Sequence, residues 1–265
     1  LKLEPAAFGQ PGCRIGDCGG DQSRDDSSNA QKNEITNRKI QYWVIPPESD
    51  ADFAAAMEEV LAVYARPLDP EHPVVCMDEQ PIQLLKESRR VIPGTRIHAK
   101  RVDYEYDRAG TASIFMFCEA LAGWRQVTVR DQRTKVDWAH EVADLMENRF
   151  RNARKVTLVC DNLNTHTKGA IYQAFPAERA RRIVERLDLC HTPKHGSWLN
   201  IAENELSSMT RQCIKRRRFG TIRQLREETK AWYTHSNARH RIVDWQMSIG
   251  DARIKLKSIY PKFIQ

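Results

Sequence analysis

The chain has 265 residues, with 42 Lys+Arg against 35 Asp+Glu, a formal net charge of +7 and 41% hydrophobic residues. That supplies a core under a strongly charged surface and excludes a wholly disordered chain. No window approaches the roughly 18–20 uninterrupted apolar residues of a spanning helix, and no charged-then-apolar leader opens the chain. Seven cysteines, an odd number with five lying singly in apolar runs, predict a reducing, intracellular protein without a disulfide framework.

Residues 1–40 are polar, hold five of the 12 glycines and show neither helical nor strand periodicity, which predicts a flexible tail. Cys13 and Cys18 lie in it without a second Cys or His pair nearby, so they read as free thiols rather than metal ligands. A connector and helix are expected over 41–72. Pro46 and Pro47 keep their predecessors extended, and Asp50 caps a helix running to about Tyr64 with Phe53, Met57, Val60 and Leu61 on one stripe. A strand is predicted at 73–78, and further strands at 101–106, 112–119 and 124–129, with turns at Gly110 and Gly123. An amphipathic helix follows at 135–150. Val156-Thr157-Leu158-Val159-Cys160 reads as a central strand covered on both faces. Helices are predicted at 169–175 and 177–187, a short strand at 187–191, and long helices at 198–217 and 221–235. The order predicts an α/β mixed sheet flanked by helices.

Basic residues cluster in the second half. Arg211, Lys215, Arg216, Arg217, Arg218, Arg223 and Arg226 occur with no acid among them, and further clusters are Arg149/Arg151/Arg154/Lys155 and Arg179/Arg181/Arg182/Arg186. Three such clusters point to a polyphosphate partner such as DNA.

Two apolar strands end in an acid, Val74-Val75-Cys76-Met77 in Asp78 and Val156–Cys160 in Asp161. A carboxylate there is costly unless paired, hydrogen-bonded or metal-bound, and carboxyl ends of strands are where open α/β sheets bind ligands. A third acid is needed to hold two divalent ions. On the helix after Asn200, Glu203 and Glu205 flank the stripe Leu199, Ala202, Leu206, Met209 and Cys213, each about 80° from its centre; periodicity does not choose between them. Oxygen ligands suit Mg²⁺ or Mn²⁺ and phosphodiester chemistry. Glu79, Asp103 and Asp107 read as ordinary exposed strand or turn residues. There is no Gly-x-x-x-x-Gly-Lys loop, and Pro193 interrupts the only zinc-like spacing, His191 to His195.

Val74-Val75-Cys76-Met77-Asp78-Glu79, Val159-Cys160-Asp161-Asn162-Leu163-Asn164-Thr165-His166 and Thr192-Pro193-Lys194-His195-Gly196-Ser197-Trp198-Leu199-Asn200-Ile201-Ala202-Glu203 closely resemble the three acidic blocks of mariner-related bacterial insertion-sequence transposases, the IS six-thirty group. The segments 104–112 and 251–256 also look like that group, and the resemblance covers roughly 40–261. It implies a ribonuclease-H-like catalytic domain over 73–240 with a C-terminal extension over 241–265. It also implies a DDE triad of Asp78, Asp161 and Glu203, with Glu205 as the fallback. Those residues would hold two Mg²⁺ or Mn²⁺ ions for cleavage at transposon ends and strand transfer into target DNA. The expected partners are transposon-end and target DNA and a second copy of the chain in a synaptic homodimer, in the bacterial cytoplasm at the nucleoid, with no membrane. Asn164, His166, Lys194 and His195 are expected near the phosphate as supporting or DNA-binding residues, and Lys215, Arg216, Arg217 and Arg218 on the DNA backbone. Members of that group usually carry helix-turn-helix units before the catalytic domain. Residues 1–40 show no such pattern, which predicts a truncated chain or an end-recognising part encoded separately. The alternatives are a non-catalytic DNA-binding remnant or regulator keeping the fold, and a metal-dependent nuclease without strand transfer.

Overall fold

A computed structural model describes residues 45–262 except Pro47; the expected tail over 1–40, its two cysteines and the start of the connector lie outside the described residues. A five-stranded sheet of order β3-β2-β1-β4-β5 forms the centre. Its strands are β1 (Val74–Glu87), β2 (Tyr106–Glu119), β3 (Trp124–Arg130), β4 (Val156–Cys160) and β5 (Leu187–His191). The pairs β1–β2 and β2–β3 are antiparallel, whereas β1–β4 and β4–β5 are parallel. The sheet is therefore mixed, as its order of elements predicted.

Alternation along the strands builds two cores. Cys76, Ile114, Met116, Cys118 and Val159 face one layer. That layer holds α1 (Ala51–Tyr64), α5 (Ile201–Met209), α6 (Ile222–Ala238) and α7 (Ile249–Lys255). Val75, Met77, Phe115, Phe117 and Leu158 face the other, covered by α2 (Lys135–Asp144), α3 (Lys168–Ala174) and α4 (Ala177–Arg186). Every residue of β4 is buried, as expected for a strand covered on both faces. Asp50 caps α1 by accepting from the Phe53 amide at 2.9 Å. The five cysteines of the apolar runs are buried and free.

Several expected boundaries move. The first strand runs nine residues past Asp78 because it pairs with β2 from Cys76 on, Glu87 meeting Tyr106. Of the strand expected at 101–106 only Tyr106 is in one, as the first residue of β2; Arg101 makes only an isolated bridge to Ile92. Gly110 is not a turn but sits inside β2 at φ +97°, where the β1–β2 register shifts between Gln83 and Leu85. Gly123 does turn, at φ +64°, and a Cβ there would meet the His240 backbone at 2.9 Å. The helix expected at 135–150 is α-helical to Asp144 and then makes a π turn over Leu145–Arg149. The one expected at 198–217 opens as a 3₁₀ turn (Ser197–Leu199), and α5 passes into a second π turn over Thr210–Ile214. Lys215–Arg218 therefore follow the helix rather than ride on it. No helix among the described residues is long and apolar enough to cross a membrane.

Glu205 lies on the inner side of α5. Arg125 of β3 donates to it through Nε at 2.8 Å and Nη2 at 3.0 Å, with both side chains almost wholly buried, and Arg241 adds a contact at 2.5 Å. This fork locks α5 to the sheet and to the chain after α6. A buried pair is weak evidence of net stability, but removing one partner leaves an uncompensated charge. Glu205→Ala is expected to lower unfolding free energy by roughly 3–5 kcal/mol, read as a reduced urea midpoint.

Candidate active site

The parallel register of β1 and β4 pairs Val75 with Leu158 and Cys76 with Val159. Carried two residues further, it sets Asp78, inside β1, beside Asp161, the residue after the end of β4, a separation of about 4.8 Å between strand axes. Asp78 shares its side of β1 with Cys76, the side on which α5 lies. Glu203, in the first turn of α5, lines a cleft of about 620 Å³ together with Asp78 and Glu79.

Buried Asn200 sets the distance between β1 and α5. Its Nδ2 donates to the Met77 carbonyl at 2.8 Å, and its Oδ1 accepts from the Ala202 amide at 3.0 Å as the helix cap. The Tyr64 hydroxyl braces the same junction, donating to the Leu199 carbonyl at 2.8 Å. One side chain thus ties the residue before Asp78 to the helix turn bearing Glu203. Its cap role is legible in sequence; its bond to β1 is not, because 123 residues separate the partners.

Burial pushes Asp78 up to about 7, with the charges of Asp161, Glu203 and Glu79 adding to the rise against a hydrogen bond from the Glu79 amide. These carboxylates therefore sense one another. Glu79 is not the exposed strand residue expected. Its side chain is 4% exposed, and it accepts from His166 Nε2 at 3.1 Å. The fully buried His166 ring stacks on Trp138, with centroids 5.4 Å apart, and its Nδ1 lies 2.7 Å from Asp161 Oδ1 and 3.2 Å from the Asp161 carbonyl. Burial alone would lower His166, but Asp161, Cys160 and Glu79 together outweigh it and push the ring up to about 12. His166 is thus an imidazolium clamp between Glu79 and Asp161. Period-two alternation puts Glu79 on the face opposite Asp78, and that was the signal available in the sequence.

The remaining expected residues divide. Lys194 is exposed in a second cleft, of about 440 Å³, with Asn162 and the acids Asp50, Asp52 and Glu59. His195 is exposed at φ +65° in the turn closed by the Gly196 amide to the Pro193 carbonyl at 2.8 Å. Asn164 is exposed in the turn before α3. Lys215 lines the Glu203 cleft, and Arg216 is exposed beside it. Arg217 pairs with Glu228, and Arg218 donates to Glu87 at 2.7 Å and to the carbonyls of Glu105 and Tyr104. In the other two basic clusters, Arg149, Arg154, Lys155, Arg179 and Arg181 are ion-paired, and Arg186 donates to the Ala153 carbonyl. Glu205, committed to Arg125 and Arg241, does not face the cleft.

The family described as DDE superfamily endonuclease matches residues 73–226. The chain belongs to this DDE endonuclease family. Comparison with curated proteins gave no significant match. Among solved structures, this DDE endonuclease is similar to the Mos1 transposase paired-end complex with left transposon end, at 14% identity and TM-score 0.50, covering 88% of this chain and 70% of that one. The likeness shows the ribonuclease-H-like fold. The catalytic domain of Mos1 mariner transposase matches at 11% identity and TM-score 0.49, covering 75% of this chain and 91% of that one. The Mos1 mariner paired-end complex with Mn matches at 14% identity and TM-score 0.48 over 81% of this chain; there the chain spans 65% of the Mos1 length.

No three His, Cys, Asp or Glu side chains among the described residues stand close enough together to hold an ion as placed. The donor set nevertheless fits a hard divalent cation: the oxygens are all carboxylate, and the charge raising Asp78 is what such a cation would relieve. Because the folded value of Asp78 lies above the ordinary 3.8, its cost to stability is absent below 3.8 and complete above about 7. In chelator-treated protein, Asp78→Asn is expected to raise unfolding free energy by about 2–4 kcal/mol at alkaline pH. The gain should shrink as pH falls through 7 and vanish towards 4 in urea titrations.

Proposed function

We propose that the chain is the catalytic part of a transposase of the IS six-thirty group, cutting DNA phosphodiesters at transposon ends and joining them to target DNA. The observation that carries this reading is buried Asp78, which shares a cleft with Glu203 and is raised by its burial together with the charges of Asp161 and Glu203. The catalytic domain is taken as 73–240, the extension as 241–265, and the setting as a bacterial nucleoid. Mos1 structures with transposon-end DNA and with Mn support DNA and a divalent ion as partners, and the paired-end assembly supports a synaptic dimer.

Asp78, Asp161 and Glu203 would hold Mg²⁺ or Mn²⁺. Bound there, two ions supply Lewis acidity, activating a water or a 3′-hydroxyl and stabilising the leaving 3′-oxygen. The chain's own residues do the rest. His166, held by Glu79 and stacked on Trp138, bonds the Asp161 carbonyl and sets its charge 2.7 Å from the Asp161 carboxylate. Asn200 holds Glu203 at a set distance from Asp78. Lys194, Lys215 and Arg216 bring positive charge to the cleft mouths, with His195 and Asn164 at the rim, whereas Arg217 and Arg218 spend their charge on Glu228 and Glu87. These contacts go to backbone phosphate and carry no base information.

The test is nicking of supercoiled plasmid by the purified chain in Mg²⁺ or Mn²⁺. Nicking that needs the metal and is lost in Asp161→Ala supports the reading; metal-independent nicking, or nicking retained by the variant, overturns it. Joined products separate a transposase from a nuclease that only cuts. Glu79→Gln, which keeps the shape but removes the charge holding His166, is expected to weaken metal-dependent nicking or apparent metal affinity by about 10–100-fold. Metal titration of the nicking rate reads it.

A further inference from the structure

The cleft that holds Asp78 and Glu203 runs on along α5 to Arg211 and Lys215. Both are exposed, and neither has an acid partner among the described residues, whereas Arg217 and Arg218 are paired to Glu228 and Glu87. The π turn decides which side chain ends this row. In a regular α-helix, the residue eleven positions on returns to the face it started from, and counting from Glu203 that residue is Ile214. The π turn over Thr210–Ile214 inserts one residue, closed by the Lys215 amide to the Thr210 carbonyl at 2.7 Å. The face of Glu203 therefore ends on Lys215, and Ile214 packs on the core. The Thr210 hydroxyl donates to Gln80 Oε1 at 3.0 Å, which ties the π turn to β1 two residues beyond Asp78.

We propose that Arg211 and Lys215 form a phosphate track for the DNA strand that enters the carboxylate cluster; this rests on the reading of the cluster as a site of phosphodiester cleavage. Helical rise puts Arg211 about 12 Å and Lys215 on the order of 17 Å along the axis from Glu203. With one phosphate per roughly 3.4 Å of a strand, they meet phosphates about three to five nucleotides from the bond that is cut. The acids repel the polyanion at one end and these two cations hold it at the other, so the strand is fixed in register before any bond breaks. The charge is sequence-neutral, which suits a surface that must accept any target DNA.

The experiment measures binding of a short duplex by the whole chain in Ca²⁺ across a salt series, with Arg211→Ala, Lys215→Ala and, for comparison, Arg217→Ala. Each of the first two is expected to reduce the slope of log K against log salt by about 0.9, and Arg217→Ala to leave it nearly unchanged. Nicks made by the wild type in Mn²⁺ are then mapped, and neutral methylphosphonates are placed at successive positions either side. Wild-type binding should weaken at positions about three to five nucleotides from the nick on one side, and Arg211→Ala should be insensitive at one of them. Slopes unchanged in both variants, or equal loss in Arg217→Ala, overturn the track even if nicking persists. Reduced slopes with no nicking by the wild type keep the track and overturn the catalytic reading instead.

Discussion

Burial of Asp78 inside β1, beside the carboxylate of Asp161 just past the end of β4, is the constraint around which this structure is organised. The parallel register brings Asp78 alongside Asp161, and burial with neighbouring charge pushes Asp78 up to about 7. Such a site disfavours the empty folded state, so its geometry has to be held from outside. Two apolar cores, one on each face of the sheet, supply the holding force. Buried polar contacts supply the direction: Asn200 to Met77, Tyr64 to Leu199, and the Glu79–His166–Asp161 chain.

The two glutamates of α5 illustrate how one helix serves both needs. Glu203 and Glu205 flank the apolar stripe on opposite sides. Glu203 meets the cleft, while Glu205 turns inward to a guanidinium fork from β3. Residue type and helical angle are nearly equivalent for the two. What separates them is the presence of Arg125 on a strand 80 residues earlier.

Charge is partitioned in the same way. Much of the basic excess is consumed by ion pairs that close the fold, including Arg179 with Glu147, Arg253 with Glu58 and Arg218 with Glu87. A count of lysines and arginines along the chain therefore overstates the surface offered to a polyanion. The cations left without an acid partner beside the carboxylates are few, and the π turn after α5 sets which of them line the cleft.

Much was legible in the sequence because it is local or periodic. The almost wholly apolar run of β4, the cap at Asp50, the mixed order of elements and the acids that follow the apolar runs Val74–Met77 and Val156–Cys160 follow from residue type and spacing alone. Four features were not legible. The length of β1 depends on its pairing with β2, and Gly110 resembles a turn although it lies in a register shift. Glu79 resembles a surface strand residue until His166 and Trp138 close over it. The π turns leave no periodic mark that distinguishes them from a continuing helix. By itself the sequence determined most of the elements, their apolar faces and the acids that follow the apolar runs of β1 and β4, since each depends on neighbours a few positions away. Only the tertiary structure decided which acids share a cleft, which cations stay unpaired and which histidine clamps Asp161, because those contacts join residues that only folding brings together.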